Sequence, residues 1–125
     1  MKMKALVVDD NGNNLILEKD LLEVAGFEVF TAKDATCGIA ITRQEKPDVI
    51  IMDIRLPDMS GSEAAGILRK DKETIGIPIV FVTASVMGEG REEIEGIPNS
   101  GFIGKPINTR TFVKEVSEYI RKEKQ

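Results

Sequence analysis

The chemistry open to this chain rests on a few oxygen donors and one amine. Asp9 and Asp10 follow an apolar run at 5–8, Asp53 follows another at 49–52, Thr83 a third at 79–82, and Lys105 with Pro106 a fourth at 102–104. The chain contains no histidine. That excludes Ser-His-Asp and Cys-His catalysis, histidine-ligated zinc and an autophosphorylating histidine. Cys37 is the single cysteine, so a cysteine metal cluster and an intramolecular disulfide are excluded too, and a reducing compartment fits. The work must fall to carboxylates, hydroxyls and lysines.

Carboxylates gathered at one place need a cation. Two of them about 5 Å apart at an effective dielectric near 20 repel by roughly 3 kcal/mol. Three uncompensated ones would raise their pKa values or loosen the fold. Lys105 supplies one positive charge, and a hard divalent ion would supply two more. With only oxygen donors at hand Mg2+ fits, because it accepts one or two carboxylates, a carbonyl and several retained waters. Each residue alone also has a plain structural reading. Asp10 with Asn11, Gly12 and Asn13 reads as turn and cap chemistry, Thr83 and Lys105-Pro106 as strand ends, and Pro57 and Gly61 as turn punctuation. Joint placement at one edge is what favours a site.

The elements that must position these residues are short and regular. Five apolar runs, at 5–8, 28–31, 49–52, 79–82 and 102–104, have strand length and are rich in β-branched and aromatic side chains. Segments of helical period lie between them. Leu17, Leu21, Val24 and Ala25 set one apolar face, with Gly26 as a C-terminal cap. Ala35, Ile39 and Thr42 set a second face before Pro47, and Ala64, Ile67 and Leu68 a third. A fourth segment, 85–98, holds three glycines, each costing about 1 kcal/mol relative to alanine inside a helix. A short, locally unstable helix is expected there. Asn108 is placed to cap a fifth, whose stripe is Phe112, Val113, Val116 and Ile120. The first, third and fourth strands are almost continuously apolar, which indicates a parallel sheet covered on both faces, a three-layer α/β fold. Right-handed crossovers bring every strand C-terminus to one edge, where ligands sit at the topological switch point.

At 125 residues, with 42% hydrophobic and 30% charged positions, the chain reads as one globular domain, 1–125. A net charge of −4 argues against nucleic acid or an anionic membrane as partner. No apolar stretch is long enough to span a bilayer and the N-terminus does not read as a signal peptide, so the cytoplasm is the expected location. The mixed-sign stretches 69–73 and 121–125 read as solvated helix ends.

Val8-Asp9-Asp10-Asn11, Asp53 with Pro57 and Gly61, Thr83-Ala84 and Lys105-Pro106 together resemble the receiver domain of two-component response regulators. Thr83 lies 30 positions after Asp53, and Lys105 lies 22 after Thr83. The resemblance covers residues 4–120. It implies a flavodoxin-like (βα)5 fold with five parallel strands in the order 2-1-3-4-5. It implies a phosphoryl group accepted on Asp53, and Mg2+ held by Asp9, Asp10, Asp53 and the backbone carbonyl of Arg55. Thr83 would bond one phosphoryl oxygen, Lys105 would pair with another, and Phe102 stands where the family carries an aromatic rotamer switch. The implied partners are a sensor histidine kinase or histidine phosphotransfer protein as donor and an unidentified downstream protein as receiver of the signal. A monomer or weak dimer is expected, catalysing its own modification without turning over an external substrate, with the output carried by another protein.

Two positions depart from the pattern. Arg55 and Ser85, two residues after Asp53 and Thr83, are neither carboxylate nor amide, so slow self-dephosphorylation is expected. Arg55 also stands where a haloacid-dehalogenase phosphatase needs its second aspartate. The run 101–106 lacks the spacing and the hydroxyl residue of a phosphate-binding loop. The alternative in another class is a pseudo-receiver, a binding module that keeps the fold without the phosphorylation; the complete acidic set with Thr83 and Lys105 argues against it.

Overall fold

The computed structural model describes residues 2–84 and 96–124. In chain order the elements are β1 (Lys4–Val8), α1 (Gly12–Val24), β2 (Glu28–Ala32), α2 (Ala35–Glu45), β3 (Val49–Asp53), α3 (Gly61–Arg69), β4 (Ile79–Thr83), β5 (Ser100–Gly104) and α4 (Phe112–Lys124). The last of these is the fifth helical segment expected from the sequence. The segment expected to form the fragile fourth helix lies, over 85–95, outside the described residues.

All five strands pair in parallel in the order β2-β1-β3-β4-β5. This is the flavodoxin-like order, and it accounts for the composition of the strands. β1, β3 and β4 are internal and nearly all apolar, whereas β2 and β5 form the edges and are only partly buried.

The two-residue side-chain period divides the interior between the faces. Leu6, Val8, Ile50, Met52, Ile79 and Phe81 point to the layer of α2 and α3, while Ala5, Val7, Val49, Ile51, Val80 and Val82 point to the layer of α1 and α4. Phe112, Val116 and Ile120 are buried, so the stripe on α4 is as expected. Asn108 opens its first turn, accepting from the Arg110 amide at 2.9 Å on Oδ1 and from the Phe112 amide at 2.9 Å on its carbonyl.

On α1 the expected face is corrected. Leu17 is 40% exposed and Val24 89% exposed, whereas Leu15, Glu18 and Leu22 are buried. Apolar residues occur nearly all round this helix, so periodicity alone does not choose its phase; packing does, and it carries a glutamate inward. The cap at Gly26 is as expected. Gly26 has φ of 101°, its amide donates to the Glu23 carbonyl at 3.0 Å, and the Phe27 amide donates to Leu22 at 3.0 Å, the paired bonds of a Schellman motif. Ala64 and Leu68 of α3 are buried while Ile67 faces outward.

Arg69 is not a solvated helix end. Its guanidinium donates to the backbone carbonyls of Pro98 at 2.9 Å, Thr74 at 3.3 Å, Ile77 at 2.8 Å and Asn99 at 3.0 Å. A forked donor set serves several backbone carbonyls at once, and it ties the end of α3 to the segments that lead into β4 and β5, at the sheet edge opposite the aspartates.

Candidate functional site

Each candidate residue stands at the carboxyl end of a strand. Asp9 follows β1 and is 1% exposed; its amide donates to Ala32 at 3.0 Å and its Oδ1 accepts the Asn11 amide at 2.9 Å. Asn11 caps α1, its Oδ1 accepting the amides of Asn13 at 3.0 Å and Asn14 at 3.1 Å. The turn chemistry legible in Asp10-Asn11-Gly12-Asn13 is therefore real, and it orients Asp9 as well. Asp10 is exposed beside it, and Asp53 is half-buried at the end of β3.

Lys105 joins the set across the sheet. Its Nζ lies 2.9 Å from Asp53 Oδ2 and 3.5 Å from Asp9 Oδ2, and its amide donates to the Thr83 carbonyl at 2.7 Å. The Lys105-Pro106 peptide is cis. Burial pulls the lysine toward its neutral form, but the hydrogen bond and charge of Asp53 and the charge of Asp9 outweigh it, so its pKa is raised. Burial likewise raises the pKa of Asp9, opposed by the Asn11 amide and the Lys105 charge.

Asp10, Asp53, Ile54, Arg55, Thr83, Ala84 and Lys105 line a cleft of about 450 Å³. One carboxylate oxygen each from Asp9, Asp10 and Asp53 lies within 4.8 Å of the others. A set of hard oxygen donors with one side open to solvent suits Mg2+, which keeps several of its waters. The residues present therefore fit that ion.

The loop after Asp53 is built for close approach. The Gly61 amide donates to the Ile54 carbonyl at 2.5 Å, and a Cβ on Gly61 would meet the Asp53 carbonyl oxygen at 2.6 Å and Ile54 Cα at 3.0 Å. Only glycine lets α3 begin against the end of β3. The Arg55 amide donates to Asp53 Oδ1 at 3.2 Å, and Arg55 bridges Ser60 across the loop. Phe102 on β5 pairs in register with Phe81 and packs, partly buried, against the α2–α3 side of the core.

Two carboxyl groups escaped the sequence reading. Glu18 of α1 is 2% exposed and borders a second cleft, of about 350 Å³, shared with Asn14, Leu17, Ala84, Lys105, Pro106 and Ile107. Burial and the charges of Asp9 and Asp53 push its pKa up to about 8, against the pull of Lys105. Asp58, in the loop before α3, accepts the Thr36 hydroxyl at 2.5 Å and the amides of Ala35 at 2.9 Å and Thr36 at 2.8 Å. These bonds hold its pKa down at about 2. Nothing local marks its role, because its partners lie 22 and 23 residues away.

An acidic cleft with a single lysine, at the carboxyl edge of a doubly wound parallel sheet, defines an α/β protein built to handle a cation and an anionic group together. The chain belongs to the response regulator receiver domain family, whose sequence model matches residues 5–117. It is 33% identical over 120 residues to the polar-differentiation response regulator DivK of Brucella anthropi, covering 96% of this chain and 98% of that one. The chemotaxis response regulator CheY4 of Vibrio cholerae superposes with a TM-score of 0.89 at 29% identity, over 95% of this chain and 99% of that one. A CheY-like receiver domain protein from Methanospirillum hungatei gives 0.90 at 28% identity, over 99% and 98%. Receiver domains of this family are two-component signalling proteins, and phosphorylation is their general switch.

Proposed function

We propose that this receiver is switched by phosphorylation of Asp53 with Mg2+ bound, the phosphoryl group coming from a histidine kinase or histidine phosphotransfer protein. The observation that carries the reading is the Lys105 ammonium 2.9 Å from Asp53, in a cleft where the oxygens of Asp9, Asp10 and Asp53 come within 4.8 Å of one another. Asp9, Asp10, Asp53 and the Arg55 carbonyl would hold the ion. When bound it would neutralise phosphoryl oxygens, which is most of what phosphoryl transfer asks of a protein.

The remaining steps belong to the chain. An Asp53 carboxylate oxygen attacks phosphorus, and the P–N bond of the donor's phosphohistidine breaks with its electron pair left on the imidazole, which takes up a proton. Lys105 stays beside the acyl phosphate as a charge partner for one oxygen, and the Thr83 hydroxyl donates to another. Phe102 then turns inward, altering the surface offered to a downstream protein. Arg55 gives the attacking water no carboxylate or amide, which favours a long-lived signal. The chain acts in the cytoplasm as one domain, 1–125, a monomer or weak dimer with no nucleic-acid or membrane partner. Among the described residues no helix is long and apolar enough to cross a membrane.

The test is intact mass after incubation with Mg2+ and a small acyl-phosphate donor. One added phosphoryl group, dependent on Mg2+ and lost in Asp53→Asn, is expected. No gain, or a gain that survives Asp53→Asn, overturns the reading in favour of a pseudo-receiver.

A further inference from the structure

The loop between β3 and α3 is pinned at two places. At its base the Gly61 amide bonds the Ile54 carbonyl and Arg55 bridges Ser60. At its tip Asp58 bonds the first turn of α2, from a different part of the chain. That turn already has its own cap, because the Asp34 carboxylate accepts the Cys37 amide at 2.7 Å. Asp58 instead takes the two amides that Asp34 leaves over, Ala35 at 2.9 Å and Thr36 at 2.8 Å, together with the Thr36 hydroxyl. A carboxylate on three donors at a helix N-terminus is charge-assisted and directionally fixed. The loop so held contains Arg55, whose amide bonds Asp53 and which lines the acidic cleft.

We infer that Asp58 is a positioning residue for the phosphorylation site: it latches the β3–α3 loop to α2 and so sets where the Arg55 backbone stands beside the three aspartates. The inference rests on the proposed function, in which the Arg55 carbonyl is a ligand of Mg2+. Its physical content is that the α2 terminus and the cation site share one loop. Groups that orient a ligand from outside the coordination sphere commonly govern affinity by about 10- to 100-fold. Asp58 acts from the loop tip, so the lower end, about tenfold, is expected.

The experiment is a titration of the 15N-labelled chain with MgCl2, following the amide signals of Asp10 and Arg55, for the wild type, Asp58→Ala, Asp58→Asn and Asp34→Ala. Asp58→Ala is expected to raise the Mg2+ dissociation constant by about tenfold and to shift the Arg55 amide before any metal is added. Asp58→Asn keeps an acceptor oxygen and should fall between the two, and it stands in if the alanine variant fails to fold. Asp34→Ala weakens the same helix terminus without touching the loop, so it should lower the melting temperature and leave the dissociation constant within about twofold of wild type. A dissociation constant unchanged in both Asp58 variants overturns the inference. An equal rise in Asp34→Ala also overturns it, because general loosening would then explain the effect. A wild-type chain whose Asp10 and Arg55 signals do not respond to MgCl2 would instead sink the proposed function, and the inference with it.

Discussion

Glu18 of α1 and Asp58 of the β3–α3 loop are both carboxyl groups, and the fold treats them in opposite ways. Asp58 sits in solvent with three donors on it and is held down at about 2; Glu18 is shut away on α1, among the charges of Asp9 and Asp53, and is pushed up to about 8. Near neutral pH one is a fixed negative charge and the other is predominantly the neutral acid. The chain therefore presents fewer negative charges around Lys105 than a count of its acidic residues suggests. Donors and water, rather than residue type, decide which carboxyls are charged.

The largest expected effect is at Glu18. Its folded pKa lies above the unfolded value of 4.5, so its contribution to stability is present in full below about pH 4.5 and is lost as pH rises through about 8. Over that window the wild type should lose a few kcal/mol, at up to about 1.4 kcal/mol per pH unit. Glu18→Gln should flatten the loss. Urea unfolding at several pH values in the presence of chelator measures it, and an equal slope in the two proteins would show that Glu18 is not the group that titrates.

Gly61→Ala comes next. Its Cβ would stand 2.6 Å from the Asp53 carbonyl oxygen, and relieving that contact should destabilise the fold by about 2–3 kcal/mol. The same shift should release the Asp58 latch, visible as exchange of the Ala35 and Thr36 amides. Protected amides in Gly61→Ala would mean that the loop tip holds without its base.

The smallest effect is the acid response of Asp58. With its pKa lowered from 3.8, its contribution is present above about pH 3.8 and is lost as pH falls toward about 2. Asp58→Asn should therefore show a shallower fall in stability over that window, read from acid unfolding midpoints. An identical acid limb would show that the three bonds do not distinguish the charged form.

The fold was legible because the internal strands carry their own signature. Continuous apolar runs at β1, β3 and β4 have no competing reading in a chain this short, and the turn residues between them are explicit. β5 was harder: Gly101 and Gly104 dilute its signal, and it begins at Ser100, two residues earlier than the apolar run suggested. The close fit of Gly101 under the Tyr119 ring depends on how α4 packs back on the strand, which no local pattern in β5 shows.

The strand-end residues of the site were legible for the same reason, since the end of a strand fixes where its next residue emerges. The phase of α1 was not, because it has apolar residues on several sides and only contact with the sheet selects Leu15, Glu18 and Leu22. Arg69 and Asp58 were missed for a further reason. Most of their partners are backbone groups, among them the Pro98 and Asn99 carbonyls for Arg69 and the Ala35 and Thr36 amides for Asp58, and no local pattern marks a carbonyl or an amide as waiting for one.

Whether Asp53 is the residue that accepts the phosphoryl group can be read by site-resolved chemistry. The chain is treated with Mg2+ and an acyl phosphate, reduced with borohydride, which turns an aspartyl phosphate into homoserine, then digested and sequenced by mass spectrometry. Homoserine at position 53, and only in samples that received both Mg2+ and the donor, is the predicted result. Homoserine at Asp9, Asp10 or any other aspartate, or none at all, would contradict it.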